Sequence, residues 1–100
     1  MAITKVTSDV LDVSIPTFKT FGTSSIMIGD STTGTIDAAN YNTGVGIDVF
    51  QDLTTGDSNS AFGFKSLFNL TTGDNNTGYG ESTLRALTTA SSNTAVGFSA

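Results

Sequence analysis

Asn59-Ser60-Ala61-Phe62-Gly63-Phe64-Lys65-Ser66-Leu67-Phe68-Asn69-Leu70-Thr71-Thr72-Gly73-Asp74-Asn75 is one unit of a 17-residue period. The next copy follows without a gap as Asn76-Thr77-Gly78-Tyr79-Gly80. The preceding copy opens as Asn42-Thr43-Gly44-Val45-Gly46, and a further one as Asn93-Thr94-Ala95-Val96-Gly97. The second half of the unit repeats as Leu53-Thr54-Thr55-Gly56, Leu70-Thr71-Thr72-Gly73 and Leu87-Thr88-Thr89-Ala90. A fixed short period means one structural unit stacked on itself, so the chain reads as a rod and not as a globule.

The period extends backwards. Seventeen residues before Asn42 lies Ser25, which puts Ile28 in the Val45 column, Gly29 in the Gly46 column and Ile36 in the Leu53 column. Residues 25–41 therefore read as a degenerate first copy, as terminal repeats often do. One more step back, to Ser8, finds no Gly in the matching place. The shaft is expected over residues 25–100, with copies beginning at 25, 42, 59, 76 and 93. The copy begun at Asn93 breaks off before its Leu-Thr-Thr-Gly half, and Ala100 is expected to fall inside a longer fibre.

Within a unit, Thr43, Val45 and Ile47 alternate with Gly44, Gly46 and Asp48. Period-2 patterning predicts a strand, with the apolar face expected inward. The column Gly46, Gly63, Gly80 and Gly97 is invariant, which predicts a tight corner or a crowded axis. Further along, Phe50 and Leu53, Leu67 and Leu70, and Leu84 and Leu87 stand three apart. A strand sends such pairs to opposite faces, so this segment is expected to be one helical turn or a bent loop with both columns inside. Each unit closes on Gly, Asp, Ser and Asn, which favour turns. The stacked Asn42, Asn59, Asn76 and Asn93 either form an amide ladder or each cap their own turn. The expected shared core is Val45, Gly46, Phe50, Leu53, Phe62, Gly63, Leu67, Leu70, Tyr79, Gly80, Leu84, Leu87, Val96 and Gly97.

Residues 1–24 lack the repeat and read as a short irregular anchor. Val6, Val10, Val13, Ile15, Phe18 and Phe21 need a surface to cover them, which makes them docking candidates. Pro16 limits strand pairing there.

Composition narrows the function. Of 100 residues, 37% are hydrophobic and 13% charged, too apolar for a disordered chain and too polar for a robust lone core. The net charge of −5 falls wholly on residues 25–100, where Lys65 and Arg85 face six Asp and Glu81. Such a rod is not expected to bind nucleic acid, which needs clustered cations. The chain has no Cys and no His, so no thiolate site and no nucleophile–base pair is recognisable, and neither cofactor nor enzymatic activity is expected. Asp57 and Asp74 share a column, but their spacing fits no calcium loop, and they read as turn carboxylates. No signal-like apolar segment follows Met1, and no apolar run reaches the length of a membrane span.

These residues carry a resemblance. Asn-Thr-Ala-Val-Gly followed by a Leu and then Thr-Thr-Gly resembles the repeats of tail fibres of bacteriophages and of other large viruses. The pentapeptide is also similar to the repeat of trimeric autotransporter adhesin heads, whose own repeat is shorter. Met1-Ala2-Ile3-Thr4-Lys5-Val6-Thr7 resembles the starts of tail fibres of marine phages, particularly those that infect cyanobacteria. The resemblance implies an all-β fold, a fibrous trimeric β-solenoid or β-roll. It further implies a structural virion protein assembled in the host cytoplasm, with residues 1–24 joined to a tail or baseplate protein. Contact with a host glycan or protein is then expected only beyond this chain. The alternative is a surface adhesin whose rod itself binds a glycan. Adhesins of that kind must be exported, so the missing signal segment favours the phage fibre.

Overall fold

The computed structural model describes residues 18–29 and 38–100. The chain is all-β with no helix among them, wound into a β-solenoid on the 17-residue period. Six strands form one sheet in sequence order: β1 (Phe18–Phe21), β2 (Ser25–Ile28), β3 (Thr43–Val45), β4 (Ser60–Phe62), β5 (Thr77–Tyr79) and β6 (Thr94–Val96). From β2 onward the strands are parallel and step by one repeat, so that Ile28, Val45, Phe62, Tyr79 and Val96 stand opposite one another.

The three-apart pairs do not make a helical turn. Phe50, Leu67 and Leu84 have φ of 55°, 51° and 48°, and two residues earlier Asp48, Lys65 and Ser82 are also left-handed. Each bend closes a tight turn, in which the Leu70 N–H donates to the Leu67 carbonyl at 3.3 Å. A left-handed residue before the turn brings both apolar side chains inside without a helix. Large residues rarely adopt this conformation, and burial offsets the strain here: Phe50, Leu53, Leu67 and Leu70 are fully enclosed. Leu84 and Leu87 pack half-buried against them.

Backbone groups in the bend are shared between neighbouring coils. The Lys65 N–H donates back to Ile47, the Ser66 N–H bonds locally to Gly63, and the Leu67 N–H donates forward to Thr83. Gly46, Gly63 and Gly80 are both corners and close approaches. Gly63 has φ 120°, and a Cβ there would lie 2.6 Å from the Gly80 carbonyl carbon.

The strand alternation is present, but its faces are reversed from the sequence expectation. Gly44, Ala61 and Gly78 point inward and are buried. Val45 and Phe62 are half-buried on the outside, and Tyr79 and Val96 are 59% and 71% exposed. The reason is the thinness of the coil. A Cβ on Gly44 would stand 2.9 Å from Val49 Cγ1 and 3.1 Å from Phe50. The bend fills the interior from the opposite wall, so the strand can offer only a hydrogen or a methyl. Val45, Phe62, Tyr79 and Val96 are thus not core residues.

At the start of the array, β1 pairs antiparallel with β2 and covers its open edge. The turn at 22–24 is sewn to the next coil: Thr23 N–H donates to Asn40 Oδ1 at 2.7 Å, and Tyr41 N–H to the Thr23 carbonyl. Phe21 is buried, 6% exposed, and belongs to the core of the rod. Burial removes it from the docking candidates.

The stacking makes a coil a removable unit. Excision of residues 59–75 joins Ser58 to Asn76 and keeps every column in register. The shortened chain is expected to retain a β-type circular dichroism spectrum and cooperative melting. Removing 60–75 instead shifts the register by one residue and is expected to abolish both.

Candidate assembly surface

Two kinds of feature run the length of the rod, one inside and one outside. Inside are polar ladders. Asn42, Asn59 and Asn76 are fully buried. The Oδ1 of Asn59 accepts the Asn76 backbone N–H at 2.9 Å, and its Nδ2 donates to the Gly73 carbonyl at 2.9 Å. Asn42 does the same one coil earlier, toward Asn59 N–H and the Gly56 carbonyl. The Asn columns are therefore a ladder joining coils. Ser25 starts it: its Oγ accepts the Asn42 N–H and donates to the Ala39 carbonyl.

A second ladder was not read from the sequence. Asp57 Oδ1 accepts the Asn40 N–H, and Asp74 Oδ1 accepts the Asp57 N–H, both at 2.7 Å. These carboxylates hold coils together at the turn. A third, on the exposed side of the turn, runs through Thr54 and Thr71, whose hydroxyls donate to the carbonyls of Thr71 and Thr88. Ser66 and Thr83 share a buried hydroxyl contact at 2.8 Å in the column headed by Val49. The change from Val49 to Ser66 to Thr83 along that column hides an inward position of small side chains.

Outside is an apolar row. Phe18 stands opposite Ile28, which continues through Val45, Phe62 and Tyr79 to Val96 across all six strands. Phe18 is 62% exposed. The Phe62 and Tyr79 rings stack with centroids 5.3 Å apart, close to the spacing of neighbouring strands. Two residues further along each coil lies a second column of Ile47, Phe64, Glu81 and Phe98, within about 7 Å of the first along the backbone. Ile47, Phe64 and Phe98 are exposed, and among the described residues of the two columns Glu81 is the one that carries a charge.

Around the bend, Lys65 Nζ lies 5.0 Å from the centre of the Phe64 ring and 5.5 Å from that of Phe68, and the Arg85 guanidinium lies 5.8 Å from the Phe68 ring. Aliphatic stems and cation–π contact cover an otherwise exposed ring here. A shallow groove bounded by Leu84, Arg85, Leu87 and Ser99 marks the last bend. Among the described residues no group of acids could hold a metal ion, and no helix is long and apolar enough to cross a membrane.

The expected core residues divide accordingly. Phe50, Leu53, Leu67, Leu70, Leu84 and Leu87 come together inside, and Gly46, Gly63, Gly80 and Gly97 line the corner. Val45, Phe62, Tyr79 and Val96 come together outside. Of the docking candidates, Phe18 joins the outer row, and Val6, Val10, Val13 and Ile15 lie outside the described residues.

Fold and surface together define a parallel β-solenoid with an antiparallel cap and one apolar outer row. No family model, no curated protein and no solved structure matches the chain.

Proposed function

We propose that this chain is a structural virion protein, the proximal part of a homotrimeric phage tail fibre. The carrying observation is the unbroken hydrogen-bonded column from Ser25 through Asn42, Asn59 and Asn76 to Asn93. It belongs to a rod that lengthens by adding identical coils, the property a fibre needs. The resemblance of the repeats and of the first seven residues to phage fibres supports the same reading. The residues before β1 are assigned to contact with a tail or baseplate protein, and receptor binding to regions further along the fibre.

The test is the mass of the intact chain in solution. Sedimentation equilibrium is expected to give three times the 10.3 kDa chain mass. A monomer at all concentrations overturns the proposal.

The second reading, a surface adhesin whose rod binds a glycan, has one observation in its favour. Tyr79 and Phe98 are exposed, and sugar rings stack on exposed aromatic faces. A glycan array separates the two: a saturable hit lost in Tyr79→Ala supports the adhesin, and a blank array supports the structural fibre.

A further inference from the structure

We infer that the outer row Phe18–Ile28–Val45–Phe62–Tyr79–Val96 is the contact between copies of this chain, which lie parallel and in register. This specifies the interface of the fibre proposed above and rests on that reading.

Three observations point to a second copy as the occupant. The first is area. At roughly 200 Å² per large apolar side chain, the exposures of Phe18, Tyr79 and Val96 in the row and of Ile26 on the same strand face amount to roughly 450 Å². That is a contiguous patch of the size that often marks an interaction site, and about half of the roughly 800 Å² each partner contributes to a standard interface. The second is period. The row repeats once per coil, at the strand spacing of about 4.8 Å. A surface with the same pitch is available in another copy of the chain, whereas one or two sugar rings would cover only a fraction of a row six strands long. The third is charge. The row itself carries none, while the acids Asp57 and Asp74 are engaged at the turns.

Register follows from the order of sizes. A rotation axis parallel to the rod keeps every residue at its own height, so a row that faces the axis meets its own copies rung by rung. Phe62 then meets Phe62, and Tyr79 meets Tyr79, within rungs that already stack at 5.3 Å. Glu81 is the exception: copies of the same carboxylate approach in one rung, where every other described coil offers Ile47, Phe64 or Phe98.

The interface is also additive in length. Each coil contributes the same apolar step, so association strengthens with every coil added. Short arrays are monomeric at concentrations where long ones are assembled.

The experiment uses the intact chain and three outward substitutions that leave the interior untouched. Tyr79→Asp is expected to raise the concentration of half-assembly at least about tenfold, with an unchanged circular dichroism spectrum, because it places a carboxylate in an apolar contact. Glu81→Ile is expected to lower that concentration. Val96→Cys, in a chain with no other cysteine, is expected to form a disulfide-linked pair on mild oxidation. Assembly that survives Tyr79→Asp unchanged overturns the row as the interface and leaves the fibre reading standing. Loss of assembly in Tyr79→Asp without crosslinking of Val96→Cys overturns the parallel register. A wild-type chain that is monomeric throughout overturns both the row and the fibre.

Discussion

Gly63→Ala is expected to destabilise the rod by about 2–6 kcal/mol, a large part of the roughly 5–15 kcal/mol typical of a whole domain. Two costs add. The residue has φ 120°, a region that L side chains rarely adopt, which costs about 1–3 kcal/mol. The new Cβ would also stand 2.6 Å from the Gly80 carbonyl carbon and 2.7 Å from its oxygen. Both are backbone atoms of the next coil, so nothing flexible can move aside, and overpacking adds about 1–3 kcal/mol. Gly97→Ala separates the two terms. Gly97 has φ 133°, but its nearest neighbour to an added Cβ is Ala100 Cβ at 3.9 Å. It keeps the conformational strain and lacks the collision. Denaturant titration of both variants is the check. Equal losses at the two positions would show that coil-to-coil contact contributes nothing.

Asn59→Ala is expected to cost a similar amount, about 2–6 kcal/mol, by a different route. The side chain is fully buried and makes three hydrogen bonds to other residues: one to the Gly73 carbonyl, one from the Asn76 N–H and one from Asn76 Nδ2. Alanine leaves that carbonyl and that backbone N–H enclosed without those partners, and each such group costs about 1–3 kcal/mol. Asn93→Ala should cost less, about 1 kcal/mol, because Asn93 is only half-buried and its neighbours reach solvent. Asn59→Ser should recover part of the loss, since Ser25 fills the same column and both accepts and donates there. Asn59→Asp keeps the acceptor for Asn76 and sets a carboxylate against the Gly73 carbonyl, so it should melt below Asn59→Ala at neutral pH. Thermal melts of the four variants give the order. A Asn59→Ala melt equal to wild type would reduce the ladder to an incidental alignment.

The period, the parallel register and the inward Leu columns follow directly from residues repeating at one spacing, because stacking places equals on equals. The sense of the strand does not. Alternation in Thr43-Gly44-Val45 separates two faces and says nothing about which one is enclosed. The usual rule that the apolar face lies inside fails because Phe50 and Val49 reach across a coil too thin for a second large side chain. Gly44, Ala61 and Gly78 carried that information: small residues in a strand mark the side where something else fills the space. The bend was ambiguous for a related reason. Spacing of three suits a helix, and only the left-handed φ at Leu67 reveals the alternative, a conformation that a leucine does not advertise. The Asp57 and Asp74 ladder was hidden because a turn-former and a ladder acceptor are the same residue type seen in one copy.

The β1–β2 hairpin gives the rod a polarity of growth. One edge of the parallel sheet is occupied by a strand running the other way, so the described coils are laid one after another on the opposite edge. Each coil is laid on the edge of the one before, in the order in which a ribosome delivers them. A chain built this way can begin winding once the hairpin and the first coil are made. Its folding time then grows in proportion to its number of coils, since each new unit has a finished neighbour waiting and never needs to find a distant one.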